Sequence, residues 1–165
     1  MRSVDRVTVR DATSEDLGFV KLMLYEAANR PGDAWPGFEE SMNDPKNRRF
    51  WGEFPRPGDV GVIAQSRAHP IGAAWIRTFV GAERGRWDDA EVPVLAIGVV
   101  EGWRGRGVGG VLIDALLERA RSLGVRAIDL TAGSFNEAGV RLYHSFGFVD
   151  IATHGDVIRM RATLV

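Results

Sequence analysis

The sequence predicts one α/β domain built on a mixed, mostly antiparallel sheet, and three observations carry that expectation. Segments with strand and helix character follow one another as strand, helix, weak helix, three strands, helix, strand, helix and two strands. Two pairs of consecutive strands are joined by turns too short for a crossover, so each pair is an antiparallel hairpin. One strand, helix, strand unit needs a right-handed crossover, which makes its two strands parallel. A chain of 165 residues suits a single compact unit, and no repeat or linker divides it.

Val7 and Val9 alternate with polar residues through Asp11 and open the chain as a strand. Thr13-Ser14-Glu15-Asp16 then supplies hydroxyls and carboxylates suited to a helix start. Leu17, Val20, Leu24 and Ala27 recur at helical spacing to about Ala28, and Pro31-Gly32 marks a stop. Between Asp33 and Asp59 the periodicity weakens. Four prolines among Trp35, Phe38, Phe50, Trp51 and Phe54 imply short helical pieces and loops with aromatic side chains.

Val60 to Gln65 and Pro70 to Val80 read as a hairpin turning at Arg67 to His69. After the polar loop Gly81 to Glu91, the run Val94 to Val100 is apolar enough to be a strand buried on both faces, and its Gly98 predicts a bulge. Val108, Leu112, Ala115, Leu116, Ala120 and Leu123 form the stripe of the clearest helix, with Gly124 where a left-handed cap belongs. Val125 to Thr131 returns as a strand. A shorter helix runs from Asn136 to about Ser145, stopped by Gly147, and Phe148 to Thr153 with Asp156 to Thr163 closes the chain as a hairpin turning near His154-Gly155.

Composition excludes several classes of function. Apolar residues make up 45%, and 21 basic against 22 acidic residues leave a net charge of −1, so general attraction to nucleic acid through its phosphates is not expected. The absence of cysteine removes disulfides, thiolate metal sites and a thiol nucleophile. It also suits a reducing cytoplasm, which is the expected location, since Met1 to Arg10 lacks the apolar core of a secretory signal. No apolar run approaches the roughly 20 residues needed to cross a bilayer. No cluster of His, Asp or Glu has metal-site spacing, and His69 and His144 read as loop and surface residues.

Arg104-Gly105-Arg106-Gly107-Val108-Gly109-Gly110 joins the buried strand to the clearest helix. Four glycines in seven residues allow consecutive amides to point into one concavity, and the helix start adds unpaired donors and a partial positive charge. With Arg104 and Arg106 beside it, such a turn suits a pyrophosphate. Gly105, Gly107 and Gly110 also satisfy the dinucleotide pattern G-x-G-x-x-G, with Asp129 near the distance of its ribose-binding acid. Placement argues against that reading, because Glu101 to Arg104 intervene between strand and turn and Asp129 lies inside a strand.

Arg104-x-x-Gly107-x-Gly109, following Leu95-Ala96-Ile97-Gly98-Val99, resembles the coenzyme A signature of the GCN5-related N-acetyltransferase (GNAT) family. A second element, Asn136 and Ala138 followed by Leu142-Tyr143-His144-Ser145-Phe146-Gly147-Phe148, is similar to that family's N-x-x-A…L-Y-x-x-x-G-F pattern. The resemblance spans nearly the whole chain. It implies a twisted sheet whose central parallel strands splay, with acetyl-coenzyme A as co-substrate and no metal. The amides of Arg104 to Gly110 would hold the pyrophosphate, and the backbones of Ile97 and Val99 would meet the pantetheine.

The same resemblance assigns Tyr143 the proton given to the coenzyme A sulfur and places an oxyanion-binding amide near Val99. Asn136 either contacts the pantetheine or caps its helix. For the base, Glu91 lies shortly before the central strand and Glu101 after it, while Val94 stands where many relatives carry a carboxylate. The alternatives are Glu91 acting through water, a distant acid such as Glu26, or an amine acidic enough to need little help. The acceptor is expected to be a primary amine of a small molecule or a protein N-terminus, in a pocket drawn from Trp35, Phe38, Trp51, Trp75, Arg77 and Trp87, with ordinary core packing favoured for Trp75. A homodimer through the C-terminal strands is also expected. The alternative function is a non-catalytic acyl-coenzyme A sensor.

Overall fold

The computed structural model describes residues 6–28 and 34–165. The Pro31-Gly32 stop therefore lies outside the described residues. Seven strands, β1 (Val7–Asp11), β2 (Val60–Ser66), β3 (His69–Arg77), β4 (Val94–Val99), β5 (Ala127–Gly133), β6 (Val149–His154) and β7 (Val157–Thr163), form one sheet in the order β1-β2-β3-β4-β5-β7-β6. Every neighbouring pair is antiparallel except β4 and β5. The helices are α1 (Leu17–Ala28), α2 (Phe38–Asn43), α3 (Pro45–Trp51), α4 (Val108–Ser122) and α5 (Glu137–Ser145). No helix among the described residues is long and apolar enough to cross a membrane.

Alternation along the strands sorts two cores onto the two faces. Ala74, Ile76, Leu95, Ile128, Leu130 and Met160 pack under α4 with Leu112, Ile113 and Leu116. Ala73, Trp75 and Ala96, one residue out of phase, pack on the opposite face with Val20, Met23 and Leu24 of α1. Trp75 is core, as its strand position implies, and its indole N–H donates to the Phe50 carbonyl at 3.0 Å.

Local chemistry sets the element ends. Thr13 caps the turn leading into α1, its amide donating to Asp16 at 2.8 Å, while both Asp16 oxygens accept from Arg10 at 2.8 Å. Within α1, Met23 rather than Ala27 joins Val20 and Leu24 in the core, and Ala27 is exposed. The α4 stripe is centred on Ile113 and Leu117; Leu123, expected inside it, is the exposed C-cap. Gly124 there has φ +79°, and the Val125 amide turns back to the Ala120 carbonyl at 3.0 Å. That bond closes the helix end, so β5 starts at Ala127 and not at Val125.

Two other expectations need correction. The third strand ends at Arg77 instead of Val80, because Phe79 leaves the sheet and buries its ring edge-on against Phe50 at 4.9 Å. Gly98 makes no bulge with β3, where Ala73 is its partner in an unbroken register. It is needed for close approach instead: a Cβ at Gly98 would stand 2.6 Å from the Met23 carbonyl oxygen, so only glycine lets α1 lie on β4.

Candidate active site

The parallel pair opens almost as soon as it forms. Val94 and Asp129 are the register pair between β4 and β5 among the described residues, with the Asp129 amide donating to the Pro93 carbonyl at 2.9 Å. Beyond it β4 runs to Val99 and β5 to Gly133 without further register partners in each other. The Val100 amide donates to Ile71 of β3 at 2.9 Å, and backbone groups alternate sides along a strand. Ile97 and Val99 therefore turn their amides and carbonyls towards the gap without a bulge, although the Val99 carbonyl already accepts from Arg104 Nε.

The glycine-rich turn stands at the wide end of this gap. Gly105 and Gly107 adopt φ +71° and +85°, a left-handed backbone that glycine takes without strain. Among the described residues, the amides from Gly105 to Gly110 donate to no protein oxygen; the first bond of α4 runs from Val111 to the Gly107 carbonyl. Val108, Gly109 and Gly110 contribute the free donors of a helix N-terminus, where an anion is stabilised. The turn thus fits a pyrophosphate by its backbone.

The two arginines differ in their engagement. Arg104 donates from Nε to the Val99 carbonyl at 3.1 Å and from Nη2 to Glu26 at 3.0 Å, tying the turn to the end of α1. Arg106 is exposed and lies over the Trp103 ring at 3.9 Å. Glu26, distant in sequence, is thereby placed at the open end of the gap. Glu91 is at the other end, exposed, three residues before Val94, its amide donating to Asp89. Glu91 stands in the turn before β4, and the extended chain from Val94 to Ile97 alone spans about 10 Å.

Helix α5 packs on the start of α4: a Cβ on Gly109 would meet Leu142 at 3.0 Å. Tyr143 joins the core beneath these helices together with Ile97 and Val99, its ring edge-on to Phe148 at 6.1 Å. Burial pushes its phenol above the ordinary value of 10.0, and its hydroxyl has no hydrogen-bond partner among the described residues. Asn136 caps α5, its Oδ1 accepting from the Gly139 amide at 3.1 Å. His144 pairs with Asp150 at 2.8 Å on the surface.

The aromatic candidates divide. Tyr25 sits edge-on to both Trp35 and Phe38, at 5.5 and 5.4 Å, beside Glu26 at the end of α1. Trp51 carries Lys21 over its ring at 4.2 Å. Arg77 is buried and wholly engaged, forked onto Asp59 at 3.0 and 2.7 Å and donating to the carbonyls of Arg49 and Gly52, so it is a structural clamp and no part of a pocket. Trp87 crosses to the far strands and stacks on His154 with centroids 3.9 Å apart.

Sequence reasoning missed the Glu26 to Arg104 pair, the stacking of His154 on Trp87, and the register pairing of Thr131 with Arg159. Their only signal was charge at alternate positions of the last strand, Arg159 and Arg161, among the apolar Ile158, Met160 and Ala162.

Residues 23–148 match the acetyltransferase (GNAT) family. The chain is 37% identical over 113 residues to a mycothiol acetyltransferase from Propionibacterium freudenreichii, a match covering 68% of this chain and 34% of that protein. It thus spans about a third of the length of that curated relative. In fold it is similar to the PaiA N-acetyltransferase of Thermoplasma acidophilum, solved in complex with coenzyme A, with TM-score 0.71, 15% identity and coverage of 96% of this chain and 99% of that one. A GCN5-related N-acetyltransferase from Kribbella flavida aligns with TM-score 0.67 and 23% identity over 95% and 97% of the two chains.

Proposed function

Because the chain belongs to the GNAT acetyltransferase family, we propose that it transfers an acetyl group from acetyl-coenzyme A to a primary amine of a small molecule or a protein N-terminus, by direct attack in a ternary complex. The observation that carries this reading is the amide-lined turn Gly105 to Gly110 at the mouth of the gap between β4 and β5. The pyrophosphate binds the turn and the N-terminus of α4. The pantetheine enters between the diverging strands, where Ile97 and Val99 offer backbone groups as a third strand would.

The amine attacks the thioester carbonyl carbon, the carbon–sulfur bond breaks, and the acceptor nitrogen loses a proton. An amide of β4 turned to the gap, at Val99, stabilises the developing oxyanion. Tyr143 protonates the leaving thiolate, and the burial that raises its pKa keeps the phenol protonated at neutral pH. Arg104 and Arg106 supply positive charge beside the turn, and Asn136 sets the start of the helix that carries Tyr143. Two carboxylates compete as base: Glu26 stands at the open end of the gap, while Glu91 at the closed end acts only through intervening water. Two copies would pair along the exposed edge strand β6, where Val149 and Ile151 are open to solvent.

The test is release of free thiol on incubation with acetyl-coenzyme A and a panel of amines. Turnover with any acceptor supports the transferase. Tight binding of acetyl-coenzyme A without turnover for the whole panel identifies a sensor, and failure to bind it removes both readings.

A further inference from the structure

On the transferase reading, the acceptor approaches the gap from the sheet face that α4 and α5 leave open. Thr131 of β5, Arg159 of β7 and His154 of β6 share that face. Thr131 is the register partner of Arg159, Arg159 of Ala152, and His154 of Val157, so all point the same way, while Leu130, Ala132 and Met160 point into the core under α4. Thr131 is exposed and lies two residues beyond Asp129, about 7 Å past the point where β4 and β5 part.

One of these side chains lacks any partner, and another is held only by a long ionic contact. The Arg159 side chain is 16% exposed and makes no hydrogen bond among the described residues; its one ionic neighbour is Asp129, at 3.5 Å. Both Asp129 oxygens are already taken by Arg161, at 2.6 and 2.9 Å, and Asp89 also lies on Arg161, at 3.7 Å. His154 Nε2 is buried without any partner, under the ring of Trp87. A desolvated imidazole nitrogen left unpaired, beside a guanidinium held only by a 3.5 Å ionic contact, points to a ligand that completes both.

We propose that Arg159, His154 and Thr131 receive an anionic group of the acceptor, which makes the acceptors amines that also carry a carboxylate, such as amino acids and their derivatives, and disfavours polyamines. The guanidinium fork matches a carboxylate in plane, the His154 imidazole donates from Nε2 in the matching tautomer, and the Thr131 hydroxyl completes the set. A phosphonate shares this chemistry but is tetrahedral, so a matched pair of acceptors separates the two anions.

Acetyl transfer is measured for matched amines: an amino acid, its amide, the decarboxylated amine and the aminophosphonate. The proposal expects the amino acid to exceed its amide and the plain amine at least tenfold in kcat/KM. It expects Arg159→Gln to remove that preference by raising acceptor KM at least tenfold while the KM for acetyl-coenzyme A holds. Preference for the aminophosphonate would keep the anion receptor but overturn the carboxylate assignment. Thr131→Val, at an exposed strand position where the isostere folds, should give a smaller shift of the same sign. An unchanged preference in Arg159→Gln, or a plain amine used as well as the acid, overturns the receptor while leaving the transferase intact. If no acceptor turns over, titration of the amino acid into the acetyl-coenzyme A complex, followed by the His154 ring nitrogen resonances, still decides: a shift absent in Arg159→Gln supports the receptor, and no shift sinks it.

Discussion

Gly98 of β4 and Met23 of α1 meet backbone to backbone: a methyl group on Gly98 would lie 2.6 Å from the Met23 carbonyl oxygen and 3.0 Å from its Cβ. The strand bordering the gap is thereby pressed against the helix that carries Glu26, and no flexible side chain can yield at the point of contact.

Gly98→Ala is therefore expected to push α1 away and to destabilise the fold by about 1–3 kcal/mol, the usual cost of overpacking. The urea midpoint checks it. An unchanged midpoint would mean that α1 is free to shift, and would withdraw the account of this glycine.

Tyr143→Phe should lower kcat by about 10²-fold or more, the scale of general acid catalysis, and leave acetyl-coenzyme A affinity unchanged. Since burial raises the phenol above 10.0, loss of its proton should not cut kcat on the alkaline side below about pH 10. Full activity in the phenylalanine variant removes Tyr143 from the mechanism.

Arg77→Ala leaves Asp59 buried without its partner and strips donors from two carbonyls. Breaking a buried pair in this way costs about 3–5 kcal/mol. Thermal denaturation should show the loss, while acceptor KM in the surviving folded protein stays near wild type. A selective KM effect at unchanged stability would return Arg77 to the acceptor pocket.

The Asp16 carboxyl is held below the ordinary 3.8, chiefly by the hydrogen bonds from Arg10, with the Thr13 amide adding to the effect. A depressed folded-state pKa stabilises the fold above the ordinary carboxylate range, and that contribution is lost as pH falls through the folded value. The stability gap between wild type and Asp16→Asn should thus be constant near neutrality and shrink below about pH 4. Urea titrations across that range measure it; a gap that grows on acidification contradicts the assignment.

The fold was legible where physical chemistry acts locally. Thr13 and Asp16 announced the helix start and Gly124 and Gly147 its counterparts at two helix ends, while the double burial expected of the Val94 to Val100 run holds only for Val94 to Ala96. Errors arose where a residue answers to a distant neighbour. Gly98 reads as a bulge until Met23 is known to lie against it, and Leu123 continues a stripe until the Val125 amide closes the helix beneath it. Arg77 resembles a pocket cation until Asp59 is found to consume it.

By itself, the sequence determined the order of elements and the glycine-rich turn between β4 and α4, because each depends on contacts within a few residues. Only the tertiary structure decided that β4 and β5 part after Val94 and Asp129, that Glu26 meets Arg104, and that Arg159, His154 and Thr131 share one face. Those relations are set by strand register and by a crossover between segments far apart in the chain. A shift of one residue in register would send every side chain of a strand to the other face, and local composition does not reveal which face was chosen.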